Sequence, residues 1–301
     1  MMAIATDLGI DPSAVALRDG ESRSRRKQWT RVLFANPAAI VSAVFLLLVV
    51  LAASFAPLLT PYDPTFLDPA VRLQGPSFDH PLGTDDRGRD IFSRVIYGGR
   101  VSLMIGVSVT LAAALIGSAL GLMSGYFPRL DTPIMRTLDG LMAFPSILLA
   151  IAIMASLGTS AVNVFIALVV VYTPTIARLV RSTTLVTRQQ PFVESARSIG
   201  MTDSQILLRY VYPNGFSPLI VQCTFVVAFA IISEASLSFL GAGVDPETPT
   251  WGNMLRDGQR VLQSAWWLAL FPGIALVLTV LTLNLLGDAL RDALDPRSRG
   301  R

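Results

Sequence analysis

The sequence predicts an all-α, polytopic membrane protein with about six transmembrane helices and both termini on the inner side. The 301-residue chain is 52% hydrophobic and only 15% charged, and its mean hydropathy is +0.56. Soluble domains carry about 25% charged residues. The charges also cluster between long apolar runs that can each cross a hydrocarbon core of about 30 Å as a helix. Composition and charge pattern therefore both indicate a membrane protein.

Five charge-free stretches are long enough to hold a span. They are residues 32–62, 101–128, 140–177, 210–233 and 261–287. As one helix, 140–177 would be about 57 Å long at 1.5 Å per residue, which is too long for a single crossing. The turn-like sequence Leu157-Gly158-Thr159-Ser160, followed by Asn163, divides it. The predicted spans are therefore 37–59, 100–126, 135–157, 161–181, 218–242 and 265–287.

These spans define the predicted organisation of the chain. It comprises a cytoplasmic N-terminal segment (1–36), the first span (37–59), an extracytoplasmic outer loop (60–99), a five-helix core (100–287) that includes a cytoplasmic inner loop (188–213), and a cytoplasmic tail (288–301). With the N-terminus inside, 17 of the 24 Lys and Arg residues fall in cytoplasmic segments. This bias favours the N-in, C-in orientation. It also explains the net charge of +3 and the pI of about 9.3 without any binding to nucleic acid.

Several kinds of site are excluded or disfavoured by composition. Cys223 is the single cysteine and His80 the single histidine, so the chain has neither a disulfide framework nor a Cys/His metal cluster. The polar N-terminal residues lack the pattern of a removable signal peptide. The outer loop is rich in Pro and Asp, which predicts an extended segment ordered by packing. Gly117, Gly121 and Gly125 recur at four-residue spacing, which predicts close packing between helices.

The inner loop has the signals of two short helices. Pro191 suits the first turn of a helix, and Gly200 can adopt the left-handed conformation that ends it. Thr202 and Gln205 have the spacing of a capping box that begins a second helix, and Pro213-Asn214 is predicted to end that helix. Two interpretations follow from the residues: an amphipathic element on the lipid headgroups, or a rigid element that fits a groove of a partner protein.

The motif Glu194-Ser195-Ala196-Arg197-Ser198-Ile199-Gly200, followed by Ile206 and Tyr212-Pro213, closely resembles the EAA loop of ABC importer permeases. Ser195 and Tyr212 depart from that pattern, and both are compatible with a helix. The resemblance implies the type I permease fold of ABC importers and a loop that docks a cytoplasmic ATPase. The residues to which it assigns this coupling are Glu194, Ala196, Arg197, Gly200, Ile206 and Pro213.

Other motifs narrow the resemblance. The segments 80–90, 234–241, 251–255 and 284–296 are similar to signatures of the dipeptide, oligopeptide and nickel permeases, C-type subunit. The resemblance implies a bacterial or archaeal inner-membrane protein that pairs with a second permease subunit as a heterodimer. It also implies ATPase subunits, which carry ATP and magnesium, and an extracytoplasmic solute-binding protein. The cargo stays open among dipeptides, oligopeptides, glutathione-like peptides and nickel chelates.

Two polar features have competing interpretations. Five residues precede the second span closely: Asp85, Arg87, Gly88, Arg89 and Asp90. With Asp86 they form either exposed ion pairs worth about 0–1 kcal/mol each or part of an entrance and docking face for a binding protein. Glu234 is an acid within a long apolar span. It is either a structural acid bonded to its neighbours or a residue that lines the translocation path.

The alternative function is an ion-driven secondary transporter, which requires intramembrane acids or broken helices; Glu234 is the one acid that fits. A membrane enzyme is disfavoured because no cluster of catalytic residues is present. The chain has no G-x-x-x-x-G-K-[ST] motif, so it is not expected to bind or hydrolyse ATP itself. The sequence thus predicts a non-enzymatic permease whose energy arrives through contact with other proteins.

Overall fold

A computed structural model of the protein describes residues 36–294. Eleven α-helices occur in this range: α1 Pro37–Ser54, α2 Ala56–Leu59, α3 Ile91–Tyr126, α4 Pro128–Met142, α5 Ser146–Leu157, α6 Ala161–Thr187, α7 Pro191–Ser198, α8 Asp203–Ile206, α9 Tyr212–Phe239, α10 Trp251–Arg260 and α11 Trp267–Leu294. The described part of the chain holds no β-strand, only one isolated bridge between Thr84 and Asp90. The all-α prediction is confirmed. The predicted N-terminal segment before residue 36 and the tail beyond residue 294 lie outside the described residues.

Five helices are long and apolar enough to cross a membrane, and a bent pair of shorter helices, α4 and α5, can supply a sixth crossing. This agrees with the predicted number of about six. Helix α3 packs most extensively on α6, and α9 then packs on both of them. Helix α11 lies beside α9, and α1 lies outermost against α11. The core therefore surrounds α3, while most of the large side chains of α1 face outward.

The glycines of α3 allow its close approach to α6. A Cβ atom at Gly117 would lie 2.9 Å from the Cβ of Ile176, and one at Gly121 would lie 2.5 Å from the carbonyl oxygen of Ala177. At Gly125 the nearest atom would be the Cβ of Thr184, at 2.7 Å. The predicted packing role of this four-residue repeat is confirmed, because any side chain here would push the helices apart.

The predicted third span, 135–157, is not one straight helix. Helices α4 and α5 meet at an angle of 90° across residues 143–145. Pro145 directly precedes α5, and the residue before a proline is disfavoured in the helical conformation, so the helix breaks at this point. Helix α4 also carries charged residues, and Arg181 of α6 binds its Asp131 through two hydrogen bonds of 2.5 and 2.6 Å.

The outer loop is shorter than predicted, because α3 begins at Ile91 and not near residue 100. Asp90 is the N-cap, and its carboxylate accepts a hydrogen bond from the backbone N–H of Ser93 at 2.8 Å. The first ten residues of α3 thus extend the helix beyond the apolar run. Within the loop, Pro69–Val71 forms one 3-10 turn.

The end predicted for the second inner-loop helix, at Pro213-Asn214, is wrong. A π-helical segment, Leu207–Val211, joins α8 directly to α9, so the helix continues to Phe239. Pro213 lies in the first turn of α9, where the wider π-helical register precedes it and proline is tolerated. The inner loop is consequently continuous with a span instead of separated from it.

We expect Gly121→Ala to destabilise the protein by about 1–3 kcal/mol, because its methyl group would overlap the backbone of α6. Thermal unfolding of the purified protein in detergent measures the effect. Gly140→Ala is the matched control, because an added Cβ at Gly140 meets nothing within 4 Å. Equal melting temperatures for the two variants would contradict this account of the α3–α6 contact.

Candidate functional site

The inner loop forms a compact helix pair. Gly200 adopts φ +80° directly after α7, as the sequence predicts for the turn. The predicted capping box is present: the Gln205 backbone N–H donates to the Thr202 side chain, and the Thr202 N–H donates to the Gln205 Oε1 at 3.0 Å. A Cβ at Gly200 would meet nothing within 4 Å, so glycine is needed there for its conformation alone.

The buried face of the inner loop rests on the end of α3. Val193 and Ala196 of α7 pack with Ile206, Val211 and Tyr126 in one apolar cluster. Arg188 closes the near end of the loop by donating hydrogen bonds to the carbonyl oxygens of the last residues of α3, at 2.9 and 3.4 Å. Two of the sequence-predicted residues, Ala196 and Ile206, therefore hold the loop in place and do not face outward.

The opposite face of the inner loop is exposed. Three large apolar side chains project from it, Phe192, Ile199 and Leu208, and Ile199 is 77% exposed. Glu194, Arg197 and Pro213 are also exposed. Among the described residues Glu194 forms no ion pair. Large exposed apolar side chains grouped on one short loop beside charged residues are typical of a protein interaction site.

Three sequence-predicted residues of the outer loop, Asp85, Arg89 and Asp90, lie buried beside Arg94 of α3 and the partly buried Asp257 of α10. We call these five residues the outer cluster. The Arg89 guanidinium donates to Asp85 at 2.5 Å and to Asp257 at 3.3 Å. The other oxygen of Asp85 accepts the backbone N–H groups of Arg87 and Arg89 at 2.8 and 2.9 Å. Asp85, Arg89 and Asp90 are at most 3% exposed. The interpretation as exposed pairs is therefore wrong for these three residues.

Two members of the predicted set have other roles in this geometry. Gly88 adopts φ +79°, and a Cβ there would lie 1.8 Å from the carbonyl oxygen of Asp68, so only glycine fits. Arg87 is exposed and binds Glu247 at 2.6 Å, which joins the outer loop to the segment before α10. The outer cluster thus fixes the outer loop against the base of α10.

The electrostatics of α10 reflect this burial. Desolvation raises the pKa of Asp257, although the nearby Arg89 and Arg94 oppose the shift. At the rim, the hydrogen bond from Arg87 lowers the pKa of Glu247. Both charges of the Arg87–Glu247 pair lie near solvent, where an ion pair contributes little. The buried members of the outer cluster, in contrast, must remain paired or the fold loses stability.

Glu234 lies fully buried in α9, near the outer end of the core. One carboxylate oxygen accepts from the Ser102 hydroxyl of α3 at 2.8 Å, and the other accepts from Ser238 at 2.9 Å. Ser238 in turn accepts the backbone N–H of Val244 at 3.2 Å. These contacts favour the structural interpretation of Glu234 over a residue that lines a path, because both oxygens already have donors.

A cavity of about 330 Å³ opens where the third span breaks. Its lining includes Met142, Phe144, Leu149, Tyr172, Gln222 and Phe229. The Tyr172 hydroxyl is bonded to Ser233 at 2.7 Å, so the ring is fixed at the cavity wall. The surface is mostly apolar with a few polar groups, which suits contact with varied organic solutes more than with a bare ion.

Sequence reasoning missed Arg94, Tyr126 and Trp267. The Trp267 indole N–H donates to the carbonyl oxygen of Thr84 at 3.1 Å, across 183 positions of the chain. Arg94 is 1% exposed and donates to the carbonyl oxygen of Pro64. Its ion-pair partner is Asp85, 3.8 Å away and nine positions earlier, and not Asp90 at the helical i, i+4 spacing. No local pattern marks these three residues, because their partners are distant in sequence.

Two protein-family models match this chain. The family model described as binding-protein-dependent transport system inner membrane component matches residues 113–300. The model for the N-terminal transmembrane domain of oligopeptide transport permease C matches residues 24–76. Together the two matches include most of the core, the inner loop and the first span.

Three relatives cover most of the chain. A putative peptide transport system permease protein of Brucella abortus is 46% identical over 89% of this chain and 90% of its own length. The dipeptide transport system permease protein DppC of Alkalihalophilus pseudofirmus is also 46% identical, over 88% and 87%. The glutathione transport system permease protein GsiD of Escherichia coli is 48% identical over 87% of each chain.

A solved structure supports the fold. An inward-facing methionine ABC transporter, MetNI, has a chain that superposes with a TM-score of 0.57. The match covers 67% of this chain and 96% of that chain at 18% identity, so it shows the fold alone. The predicted fold of an ABC importer permease is confirmed.

We expect Glu234→Leu to lower the stability of the protein by about 1–3 kcal/mol, because the buried Ser102 hydroxyl would lose its acceptor. Glu234→Gln should cost less, since its amide still offers one oxygen. Thermal unfolding in detergent and the yield of the assembled complex are the measurements. If stability, yield and solute uptake were all unchanged in both variants, neither the structural nor the path-lining interpretation would hold.

Proposed function

The chain belongs to the family of binding-protein-dependent transport system inner membrane components, and from this premise we propose that it forms half of a peptide translocation pathway. The other half would be a second permease subunit in a heterodimer. As a membrane-embedded permease subunit of an ABC importer, the chain works with ATPase and solute-binding partners. The family assignment excludes the ion-driven secondary transporter considered as the alternative.

The exposed apolar face of the inner loop is the observation that carries this proposal. Phe192, Ile199 and Leu208 project from a helix pair whose turn and caps are fixed, so the surface is already shaped before a partner binds. Preorganised surfaces lose less conformational entropy on binding than flexible ones. We assign this face to docking of an ATPase subunit, with Glu194 at its edge as a charged contact.

Energy in this proposal comes from partners and not from the chain itself. The sequence contains no phosphate-binding loop, so ATP and magnesium would be held by the ATPase subunits. Closure of those subunits would displace α7, and α8 would transmit the displacement through the π-helical segment into α9. The spans would then alternate between inward-open and outward-open arrangements.

The outer cluster is proposed to shape the surface on which the solute-binding protein docks. It holds the outer loop and α10 together on the side that faces the solute-binding protein, with Arg87 and Glu247 exposed at the surface. A fixed outer surface of this kind would let the binding protein dock in one orientation. The cavity at the break of the third span would supply part of the pathway wall.

Short peptides are the proposed cargo class. The similar proteins are named for peptide, dipeptide and glutathione transport, and glutathione is itself a small peptide. Nickel chelates are the competing cargo, because the sequence motifs of this chain are similar to those of nickel permeases as well. Uptake of labelled peptides of graded length, measured beside nickel in cells that express the complete transporter, decides between them. Uptake of nickel without peptides would contradict the proposed cargo.

We expect Gly200→Pro to leave the protein in the membrane but to lose the ATPase subunits. Proline fixes φ near about −65°, which the observed φ of +80° does not allow, so the helix pair would be displaced. Glu194→Lys should weaken docking through the reversed charge. The measurement is co-purification of the ATPases with a tagged permease.

Gly200→Ala is the control for the first variant, since alanine can enter the left-handed region at a cost of roughly 1–2 kcal/mol. It should retain more of the ATPase than proline does. Full retention of the ATPases by Gly200→Pro and Glu194→Lys, together with normal uptake, would contradict the assignment of the inner loop.

A further inference from the structure

Tyr126, the last residue of α3, lies against both helices of the inner loop. The side chain is almost fully buried in the apolar cluster beneath the loop. Its hydroxyl donates to Asp203 of α8 at 2.6 Å and accepts from the guanidinium of Arg197 of α7 at 3.2 Å. The same guanidinium lies over the Tyr126 ring, 5.5 Å from its centroid. One tyrosine thus contacts an element before the Gly200 turn and an element after it.

The charges of Asp203 and Arg197 strengthen their contacts with Tyr126. Both hydrogen bonds involve a charged group, and such bonds are shorter and about twice as strong as neutral ones. The guanidinium adds a cation–π contact with the ring. Because the hydroxyl donates its proton to Asp203, its lone pairs are free to accept from Arg197. The three side chains therefore form one directional chain of contacts.

Other side chains of α7 do not offer such a connection. The hydroxyls of Ser195 and Ser198 bond to backbone carbonyls within the helix itself. Val193 and Ala196 make apolar contacts only. Among the described residues, Arg197 is thus the α7 side chain with a polar contact to a span. This contact lies beside the exposed face assigned to the ATPase.

Helix α3 connects this contact to the outer side of the protein. It has 36 residues without a break, which corresponds to about 54 Å at 1.5 Å per residue. Its outer end carries Arg94 and the N-cap Asp90 of the outer cluster. Its outer third binds Glu234 of α9 through Ser102. A displacement at Tyr126 would therefore act on one continuous helix that extends to the outer cluster.

We propose that Tyr126 is a positioning residue for energy coupling: it fixes Arg197 and Asp203 to the end of α3, so that α3 and α9 move together when the inner loop is displaced. The inner loop continues into α9 through its backbone, whereas it is joined to α3 by side-chain contacts, those of Arg188 and of Tyr126, and Tyr126 is the one that binds both α7 and α8. The inference rests on the proposed function, because it requires that an ATPase acts on the inner loop.

The test uses the complete transporter, with both permeases, the ATPases and the binding protein, reconstituted in proteoliposomes. Tyr126→Phe removes the hydroxyl and keeps the ring. We expect ATPase co-purification and thermal stability close to wild type, whereas peptide uptake per ATP hydrolysed falls about tenfold, equivalent to about 1.4 kcal/mol of coupling. A merely structural role would lower stability and uptake together and would leave the ratio of uptake to hydrolysis unchanged.

Further variants test whether the hydrogen bond between Tyr126 and Asp203 is responsible for coupling. Asp203→Ala removes one of the two hydrogen bonds that Tyr126→Phe removes, so it should also lower coupling, though by no more than Tyr126→Phe does. The double variant should be no worse than Tyr126→Phe alone, because the Tyr126–Asp203 bond is lost only once. Asp203→Asn keeps an acceptor oxygen and should restore coupling. Tyr97→Phe is the matched control on the same helix, since the hydroxyl of Tyr97 forms no hydrogen bond within residues 36–294 and lies far from the inner loop.

Three results would overturn the proposal: normal uptake per ATP in Tyr126→Phe, additive losses in the double variant, or an equal loss in Tyr97→Phe. If Tyr126→Phe does not assemble, the comparison of Asp203→Ala with Asp203→Asn still decides, and equal coupling in these two variants would contradict it. Failure of the wild-type chain to co-purify with the ATPases would instead contradict the proposed function.

Discussion

Helices α3 and α6 approach each other most closely where α3 carries three glycines, and this contact determines where the other spans can lie. At Gly117, Gly121 and Gly125 a Cβ atom would lie within 3.0 Å of α6. In lipid, helices gain no hydrophobic free energy from leaving water, so association depends on close backbone approach and on hydrogen bonds. The glycine face provides the first of these. The remaining spans pack around the rigid pair that results.

The packed pair of α3 and α6 also connects the inner loop to the outer cluster. The inner end of α3 binds the inner loop through Tyr126, and its outer end begins at Asp90 within the outer cluster. A break in α3 would separate these surfaces, and the structure places its break elsewhere, between α4 and α5. Packed interfaces of this type pass on small shifts because they have few intermediate arrangements. Coupling in the proposed function uses this property.

Two buried carboxylates in the outer half of the core, Glu234 and Asp85, each have a defined set of partners. Glu234 has two hydroxyl donors, and Asp85 has two backbone donors besides Arg89. Burial of such groups is costly, and removal of one partner leaves an uncompensated charge. These contacts therefore add little net stability but hold the outer loop, α3 and α9 in one arrangement. A fixed outer surface is what docking of a solute-binding protein requires.

The sequence by itself determined the features that depend on neighbours in the chain. Apolar length predicts the number of spans, and Gly200 with the Thr202–Gln205 capping box predicts the inner helix pair, because turns and caps involve residues a few positions apart. The tertiary structure alone decided the burial of the outer cluster, the acceptor role of Glu234 and the contact of Tyr126 with Asp203. The residues of the last two contacts are 132 and 77 positions apart. Such contacts depend on how the helices pack, and no local pattern of residues encodes that packing.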